Sequence, residues 1–224
     1  MISRKQTAKA KDTRRRILET ALVLFRRRGF EETTMRAIAE EAGMATGAAY
    51  YYFESKDSLV AAFYEEARVA IHDRVNDALQ HRTTLRERLT ATIEIKFEYF
   101  ASQRDLLRTL FSRAADPAHP LSPFGEQTRE IREEDIEHFH QAIAASDFKT
   151  PADLMPVLPT LLWLYQMGLI LFWIYDRSEE QKRSRRMFES SLDLLVSMLK
   201  LARLPVLRPI RRKAAKLAQT AIEE

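Results

Sequence analysis

The chain has 224 residues, of which 46% are hydrophobic and 30% charged, a balance that is ordinary for a folded soluble protein. It contains no cysteine, which excludes disulfides, thiolate nucleophiles and cysteine metal sites and suits a reducing cytoplasm. Only five glycines are present, and long stretches repeat apolar residues with a helical period. We therefore expect an all-α fold.

The net charge of +4 is unevenly distributed. Residues 1–28 hold ten Lys and Arg against two Asp and Glu, and residues 200–224 hold seven against two. A basic N-terminal segment is typical of proteins that contact DNA, although a charged solubilising tail is the alternative. This segment has no long apolar core, so we expect no signal peptide and a cytoplasmic location.

The first 54 residues predict a basic arm and three helices. The arm covers about residues 1–11, and helix one about Asp12–Arg28, with a core stripe of Ile17, Ala21, Leu24 and Phe25. Helix two is expected over Met35–Ala42 and helix three over Met44–Phe53.

Gly43 separates helices two and three and can adopt the positive φ that ends a helix. Ala39, four residues earlier, is small enough to let the two helices approach. The order of helix, glycine turn and helix predicts a helix-turn-helix, which places its second helix in the DNA major groove. A generic αα-hairpin is the alternative.

Three segments of the chain resemble the tetracycline-repressor (TetR) family of bacterial regulators. They are Ile17–Phe25 (ILETALVLF), Arg28-Gly29-Phe30 with Thr33-Thr34, and Gly47–Asp57 (GAAYYYFESKD). The resemblance spans roughly the first 60 residues. It implies a DNA-binding domain over residues 1–54 and a helical ligand-binding and dimerisation domain over residues 55–224, with about nine or ten helices in all.

The resemblance further implies a homodimeric, ligand-responsive repressor that binds a palindromic operator of double-stranded DNA. The chain departs from the family at Ala45 and Thr46, where Ser and Lys are frequent, and at Ala49, where a large aliphatic residue is common. The operator sequence therefore cannot be transferred from a relative.

Candidate DNA contacts cluster around the two short helices. Thr33 or Thr34 should cap helix two, whose N-terminus can hold a phosphate. Helix three presents small residues that allow a close approach to base edges, and its tyrosines can reach bases or phosphates. Lys56 resembles the family's phosphate-contacting lysine. The predicted DNA-binding residues are Thr33, Thr34, Arg36, Ala45, Thr46, Gly47, Ala48, Tyr50, Tyr51 and Lys56.

Four helices and a loop follow. Ser55 is a suitable cap for helix four, which should reach about Leu79. The remaining expected elements are helix five over Thr84–Ser102, helix six over Arg104–Ala115, a proline-rich loop over Asp116–Gly125, and helix seven over Glu126–Ser146.

The segment Leu154–Tyr175 carries no charge, so a transmembrane helix has to be considered. Pro156 and Pro159 place the uninterrupted helix near Thr160–Tyr175, which would span about 24 Å, less than the roughly 30 Å of a bilayer core. A helix buried on two faces is the preferred interpretation, and no membrane partner is expected.

The next helix is expected over Glu179–Arg203, and it contains small residues that permit close helix packing. Two helices from each chain would form a four-helix dimer interface, as the TetR resemblance also implies. The predicted interface residues are Gly168, Leu171, Phe172, Ser191, Leu194, Leu195 and Met198.

A last helix should begin at Pro209, after Pro205 interrupts its predecessor. Its thin apolar face comprises Ile210, Ala214, Leu217, Ala218 and Ala221. The expected role is an extra helix packed on the body, and a membrane-surface or second nucleic-acid contact is the alternative.

An enzyme is the main competing class. The sequence shows no glycine-rich phosphate loop, nucleophile motif or zincin spacing, so no catalytic residue or cofactor is expected. Glu134, Glu137 and His138 could share a helix face as metal ligands, but a solvated charged face is preferred and no metal is expected.

The regulator is expected to bind a small hydrophobic effector, and a DNA-binding scaffold without an effector is the alternative. The candidate pocket is mainly apolar with one or two polar groups, which would suit an aromatic or acyl compound. Its predicted residues are Phe97, Phe100, Phe111, Phe139, Trp163, Tyr165 and Gln166.

Overall fold

The computed structural model describes residues 8–113 and 119–222, and all regular structure in these residues is helical. The all-α prediction is confirmed. The ten α-helices of the described residues are α1 (Ala8–Arg28), α2 (Met35–Glu41), α3 (Thr46–Tyr52), α4 (Lys56–Gln80), α5 (Leu85–Phe100), α6 (Arg104–Arg113), α7 (Arg129–Ala144), α8 (Leu158–Tyr175), α9 (Lys182–Ala202) and α10 (Arg208–Ile222).

Most of the predicted helices are present with shifted ends. α1 begins at Ala8, four residues before the predicted start, and so includes part of the expected arm. Residues 1–7 of the basic arm lie outside the described residues, as do residues 114–118 at the expected end of helix six and start of the loop.

The described residues form two compact units. One comprises the residues up to Arg68 together with those between Ser102 and Thr128, and the other comprises Val69–Ala101 and the residues from Arg129 onward. This grouping differs from the predicted division after residue 54. α4 is a continuous helix that contributes to both units.

The first unit is built on the predicted apolar stripe of α1. Ile17, Ala21, Leu24 and Phe25 are all buried, and the Phe25 ring lies 5.0 Å from that of Phe30. Ala39 of α2 and Ala49 of α3 are completely buried where these two helices pack together. Small side chains at this contact allow the close approach that the sequence predicted.

The second unit packs α7 against α5 and α8, and α9 against α5 and α8. Thr84 begins α5 with a reciprocal capping box to Glu87, which satisfies two backbone N–H groups at the helix start. Buried apolar side chains on these helices form the core, among them Leu89, Ile93, Phe139, Leu162, Trp163, Ile174 and Leu192.

The buried Asp176 joins α8 to α9. Its carboxylate accepts hydrogen bonds from the Ser178 N–H at 2.9 Å, the Ser184 N–H at 2.8 Å and the Ser184 hydroxyl at 2.6 Å. Burial raises the pKa of Asp176, but these hydrogen bonds outweigh it and hold the pKa far below its ordinary value. The carboxylate therefore ties the start of α9 to the end of α8.

The starts of α8 and α9 differ from the sequence prediction. α8 begins at Leu158 rather than Thr160, because Pro159 fits the first turn of a helix. α9 begins at Lys182 rather than Glu179, because Glu180 and Gln181 adopt positive φ angles of 49° and 53° and interrupt the helix.

Within the described residues, α8 is the one helix long and apolar enough to cross a membrane by length and composition, and 44% of it is buried inside the protein. Leu162, Trp163 and Trp173 lie on the buried side, whereas Leu164 and Leu171 are exposed. One of the two faces expected to be buried is therefore covered within the chain, and burial of the other face stays a prediction.

α10 is present, but the prediction for its buried face is wrong. Arg211 faces the body, donating to the Asp153 carboxylate at 2.8 Å and to the Ala202 carbonyl at 2.5 Å, and Ala215 is buried beside it. Ile210 and Leu217, expected to pack inward, point outward, and Leu217 is 74% exposed. A charged anchor therefore orients this helix instead of its apolar stripe.

Asp176→Ala should lower the free energy of unfolding by roughly 1–3 kcal/mol, because it leaves the buried N–H groups without their acceptor. The contribution of a carboxylate with a lowered pKa is complete above its ordinary value of 3.8 and is lost as the pH falls below it. The variant should therefore lose less stability than the parent between pH 6 and pH 3 in denaturant unfolding.

Asp193→Ala is the matched control, since Asp193 makes an exposed ion pair with Arg86 and should contribute far less. Equal losses in the two variants would contradict the role given to Asp176.

Candidate nucleic-acid interface

A Schellman turn at Gly43 sets the geometry of the helix-turn-helix. Gly43 has the predicted positive φ, at 68°, and its N–H donates to the Glu40 carbonyl at 3.1 Å. The Met44 N–H donates to the Ala39 carbonyl at 2.9 Å, which completes the motif. A Cβ at Gly43 would meet no atom within 4 Å, so the left-handed backbone rather than space favours glycine here.

The two threonines before α2 have different positions. Thr34 is the N-cap, and its hydroxyl oxygen accepts the Ala37 N–H at 3.1 Å. Thr33 is completely buried, and its hydroxyl donates to the Gly29 carbonyl at 2.7 Å. The structure thus assigns Thr33 to the support of the turn, which argues against its predicted DNA contact.

The start of α3 is open to solvent. Ala45 and Gly47 are exposed, Thr46 and Ala48 are half-buried, and Ala49 on the opposite side is in the core. The aromatic run at the end of α3 divides between solvent and the core, with Tyr52 half-buried. Tyr50 and Tyr51 are exposed, Tyr51 by 79%, whereas Phe53 is buried.

Lys56 has a structural role that the sequence did not reveal. Its ammonium donates to the carbonyls of Phe30 at 2.6 Å and Glu31 at 3.1 Å, and lies 4.5 Å from the centre of the Phe30 ring. An ammonium has three N–H donors, so one is left after these two bonds. Lys56 therefore ties the start of α4 to the loop before α2.

Four of the predicted residues line one surface pocket of about 430 Å³ in this unit, namely Thr33, Thr34, Tyr50 and Lys56. Glu31, Glu54 and Asp57 also line it, so its charge is mixed. Arg36 is exposed on α2 and donates to Glu40 at 3.0 Å. A phosphate at Arg36 would have to compete with that carboxylate.

Comparison with known proteins identifies the family. Residues 17–63 match the family model described as "Bacterial regulatory proteins, tetR family", and residues 88–217 match "Tetracyclin repressor-like, C-terminal domain". The second match alone covers more than half of the chain.

The chain belongs to the TetR family.

Individual relatives of this TetR-family chain match over shorter stretches. The "Fatty acid metabolism regulator protein" of Bacillus subtilis is 24% identical over 90 residues, which is 40% of this chain and 46% of the relative. The "HTH-type transcriptional repressor KstR2" of Rhodococcus jostii is 34% identical over 85 residues, 36% of this chain and 42% of the relative. The match thus spans less than half of each relative.

A solved structure extends the likeness to most of the fold. A putative transcriptional regulator from Saccharomonospora viridis, crystallised in complex with choline, superposes with a TM-score of 0.65 at 20% identity. The match covers 82% of this chain and 96% of that one.

The predicted dimer residues lie mainly on one exposed apolar surface of the second unit, here called the α8–α9 face. Gly168, Leu171 and Phe172 on α8 are exposed, as are Leu194 and Met198 on α9. Ser191 and Leu195 are half-buried at its edge. Further exposed apolar residues of the same two helices are Leu161, Leu164, Tyr175, Met187 and Leu201.

The predicted effector residues are not gathered around one cavity. Phe111 belongs to the first compact unit, and Phe139 and Trp163 are buried in the core of the second. Phe100 packs edge-on against Tyr99. Phe97 does line a cavity, which has a volume of about 430 Å³.

That cavity, here called the Phe97 cavity, has an aromatic floor and an acidic rim. The Phe97 ring lies 5.3 Å from the Trp173 ring and 6.0 Å from the Phe188 ring. The rim carries Arg185 and the carboxylates of Glu94, Glu98, Glu180 and Glu189. Partial burial and the neighbouring Glu98 raise the pKa of Glu94.

Both predicted polar groups of the pocket already have partners in the protein. The Tyr165 hydroxyl lies 2.6 Å from the Ser191 hydroxyl on α9. Gln166 is buried, and its side-chain carbonyl accepts the Lys96 ammonium at 2.7 Å. Lys96 also contacts Asp135 at 3.0 Å. These groups therefore align α5, α7 and α8 with one another.

Proposed function

We propose that the protein is a ligand-responsive transcriptional repressor that binds a palindromic operator as a homodimer in the cytoplasm. The observation that carries the proposal is the exposed start of α3, held by the Gly43 turn against the buried side of α2. A short helix presented in this way fits the DNA major groove. Membership of the TetR family supports the same assignment.

The proposed DNA contacts divide by chemistry. Thr46 would hydrogen-bond a base edge, and the methyl groups of Ala45 and Ala48 would contact thymine methyls. The backbone at Gly47 allows α3 to approach closely. The exposed tyrosines would reach phosphates or base edges through their hydroxyls.

Cationic and capping groups would bind the DNA backbone. Arg36 is exposed on α2, and the cap at Thr34 lies where a phosphate can approach the helix N-terminus. Lys56 would add one charge-assisted hydrogen bond to a phosphate while it keeps its two carbonyl partners.

The α8–α9 face supports the homodimer. Its exposed apolar side chains follow the helical period on both helices, so they form a continuous patch rather than scattered residues. An isologous contact between two copies of this patch would place the two helix pairs in a four-helix interface.

The effector site is proposed at the Phe97 cavity. Aromatic walls favour an apolar molecule, and a rim with four carboxylates disfavours an anion. The choline complex of the similar structure supports a small-molecule ligand of this kind, since choline is a cation. Such a ligand would release DNA by binding the DNA-free conformation more tightly.

A DNA-binding regulator without an effector is the second candidate, and a thermal-shift screen against metabolites distinguishes the two. The two relatives described above are named as a regulator and a repressor, so they give no support to a catalytic function.

Selection from random double-stranded DNA should enrich a pseudo-palindrome whose half-site centres lie about 34–36 Å, or a multiple of that distance, apart. Tyr51→Phe should weaken binding roughly two- to tenfold on every sequence, because one hydrogen bond contributes about 0.5–1.5 kcal/mol. Thr46→Ala should change base preference instead. Both effects can be measured by fluorescence anisotropy.

Tyr99→Phe is the matched control, since it removes the hydroxyl of a tyrosine on α5 that belongs to neither the proposed DNA contacts nor the proposed dimer contacts. Failure to enrich any palindrome would count against the proposed repressor.

Leu194→Glu should convert the dimer to a monomer, because each subunit would bring a carboxylate into an apolar contact. Leu194 is 61% exposed, so the change should leave the fold of the monomer intact. Gly168→Arg should act in the same way, since a Cβ there meets no atom within 4 Å of its own chain. Light scattering and circular dichroism provide the measurements.

Val206→Glu places the same charge at an exposed apolar residue outside α8 and α9 and should have no effect on the dimer. A stable dimer of Leu194→Glu would place the interface elsewhere.

Apolar neutral or cationic compounds should release operator DNA and quench tryptophan fluorescence, because Trp173 forms part of the cavity floor. Phe97→Ala should weaken this response about tenfold or more while operator binding without ligand stays unchanged. Phe124→Ala, at an exposed phenylalanine of the first unit, is the control. Release by sugar phosphates alone would contradict the proposed ligand class.

A further inference from the structure

Three side chains of the second unit, one on α4 and two on α7, lie close together. His72 lies on α4, and Glu134 and His138 lie on α7. One potential ligand atom from each residue lies within 4.8 Å of the other two. Within the described residues this is the one group of His and carboxylate side chains that meets this criterion.

We propose that His72, Glu134 and His138 bind a divalent transition-metal ion of the zinc class. The proposal is independent of the operator and of the effector at the Phe97 cavity. Two of the three residues that the sequence offered as possible ligands, Glu134 and His138, belong to this group, whereas Glu137 contacts His140 and Gln141.

The separation of the two imidazoles fits a shared metal ion. The Nδ1 atom of His72 lies 3.2 Å from the Nε2 atom of His138. Two nitrogen ligands about 2.0–2.1 Å from a tetrahedral zinc ion lie roughly 3.3–3.4 Å apart. The two nitrogens are thus already at nearly the distance that joint ligation requires.

Glu134 supplies the third ligand. One of its carboxylate oxygens lies 2.5 Å from the Nδ1 atom of His72, so it would move outward by about an ångström to admit the ion. Glu134 and His138 are four residues apart on α7 and therefore share a helix face. The His72 side chain is 42% exposed, which leaves a path to solvent for the ion and for a water at the fourth position.

The outer nitrogens of both rings face groups that can orient them. The Nε2 atom of His72 is 2.8 Å from the Asn76 amide, whose oxygen can accept its proton after an amide flip. The Nδ1 atom of His138 lies 3.9 Å from the Asp135 carboxylate. Metal-bound histidines use such partners to fix the ring and its tautomer.

The burial of His138 adds a second argument. Its side chain is 2% exposed, and its Nδ1 atom has no hydrogen-bond partner in the structure. Without an ion, a proton on the Nδ1 atom of His72 faces both the Glu134 oxygen at 2.5 Å and the Nε2 atom of His138 at 3.2 Å, so two acceptors compete for one N–H. With an ion, both lone pairs point at the metal, and each outer N–H turns towards Asn76 or Asp135.

The ligand chemistry selects the ion. Two imidazoles and one carboxylate suit zinc, nickel or cobalt better than magnesium or calcium, which prefer oxygen ligands. The ion would join α4 to α7 and so hold the part of α4 that belongs to the second unit.

Protein freed of metal with a chelator should bind one zinc ion per chain in a competition titration with a chromogenic indicator. Zinc at about 100 times its dissociation constant should raise the melting temperature by roughly 5–10 °C. Cobalt should give the visible absorption of a tetrahedral site. His72→Asn and Glu134→Gln should each weaken zinc binding about 10- to 100-fold, and both leave the buried His138 in place.

Glu137→Gln and His140→Asn are matched controls, because these residues form an exposed pair 3.6 Å apart on the same helix without a histidine from α4. They should leave the zinc affinity unchanged. Absence of stoichiometric binding of zinc, nickel and cobalt would overturn the proposal. Binding that survives His72→Asn and Glu134→Gln would equally overturn it.

Discussion

The second unit depends on one buried guanidinium. Arg88 donates to the carbonyls of Leu79 and Arg82 at 2.6 and 2.7 Å, and to those of Gln141 and Ala142 at 3.0 and 2.8 Å. These carbonyls lie at or just beyond the C-terminal ends of α4 and α7, where the last carbonyls of a helix lack N–H donors within it. Burial lowers the pKa of Arg88, yet a guanidinium stays charged in proteins. The Arg88 side chain therefore satisfies carbonyls at the C-terminal ends of both helices and holds these two ends together.

Polar contacts continue along α7 from this point. His138 faces His72 on α4, and Asp135 pairs with Lys96 on α5. Burial lowers the pKa of Lys96, and although burial also acts on Asp135, the ammonium holds the pKa of that carboxyl below its ordinary value. Buried ion pairs contribute little net stability, but breaking one is costly, so they penalise incorrect alignment of helices. The apolar core supplies the stability, and these contacts specify the arrangement.

Local signals in the sequence were sufficient for most of the fold. Gly43 and Ser55 each act within one helical turn, the apolar period of α1 acts within one helix, and each has the expected role in the structure. Predictions failed where the orientation of a side chain depends on a partner far away in the sequence. Arg211 orients α10 through Asp153, 58 residues away, and Lys56 contacts carbonyls 25 and 26 residues away. The apolar period of a sequence shows which residues share a helix face. It does not show which face a charged partner far away in the sequence will turn towards the protein.

The candidate sites follow the same rule. The open residues of α3 could be predicted because a helix-turn-helix defines its own exposed side, whereas His72 is 66 residues from His138 and no spacing on α7 reveals it. The environment of α8 could be predicted only in part. Its uncharged sequence predicted two apolar faces, and the chain buries one of them while Leu171 and neighbouring residues stay exposed. Exposed apolar side chains are unfavourable in water, and the proposed dimer would cover those of α8.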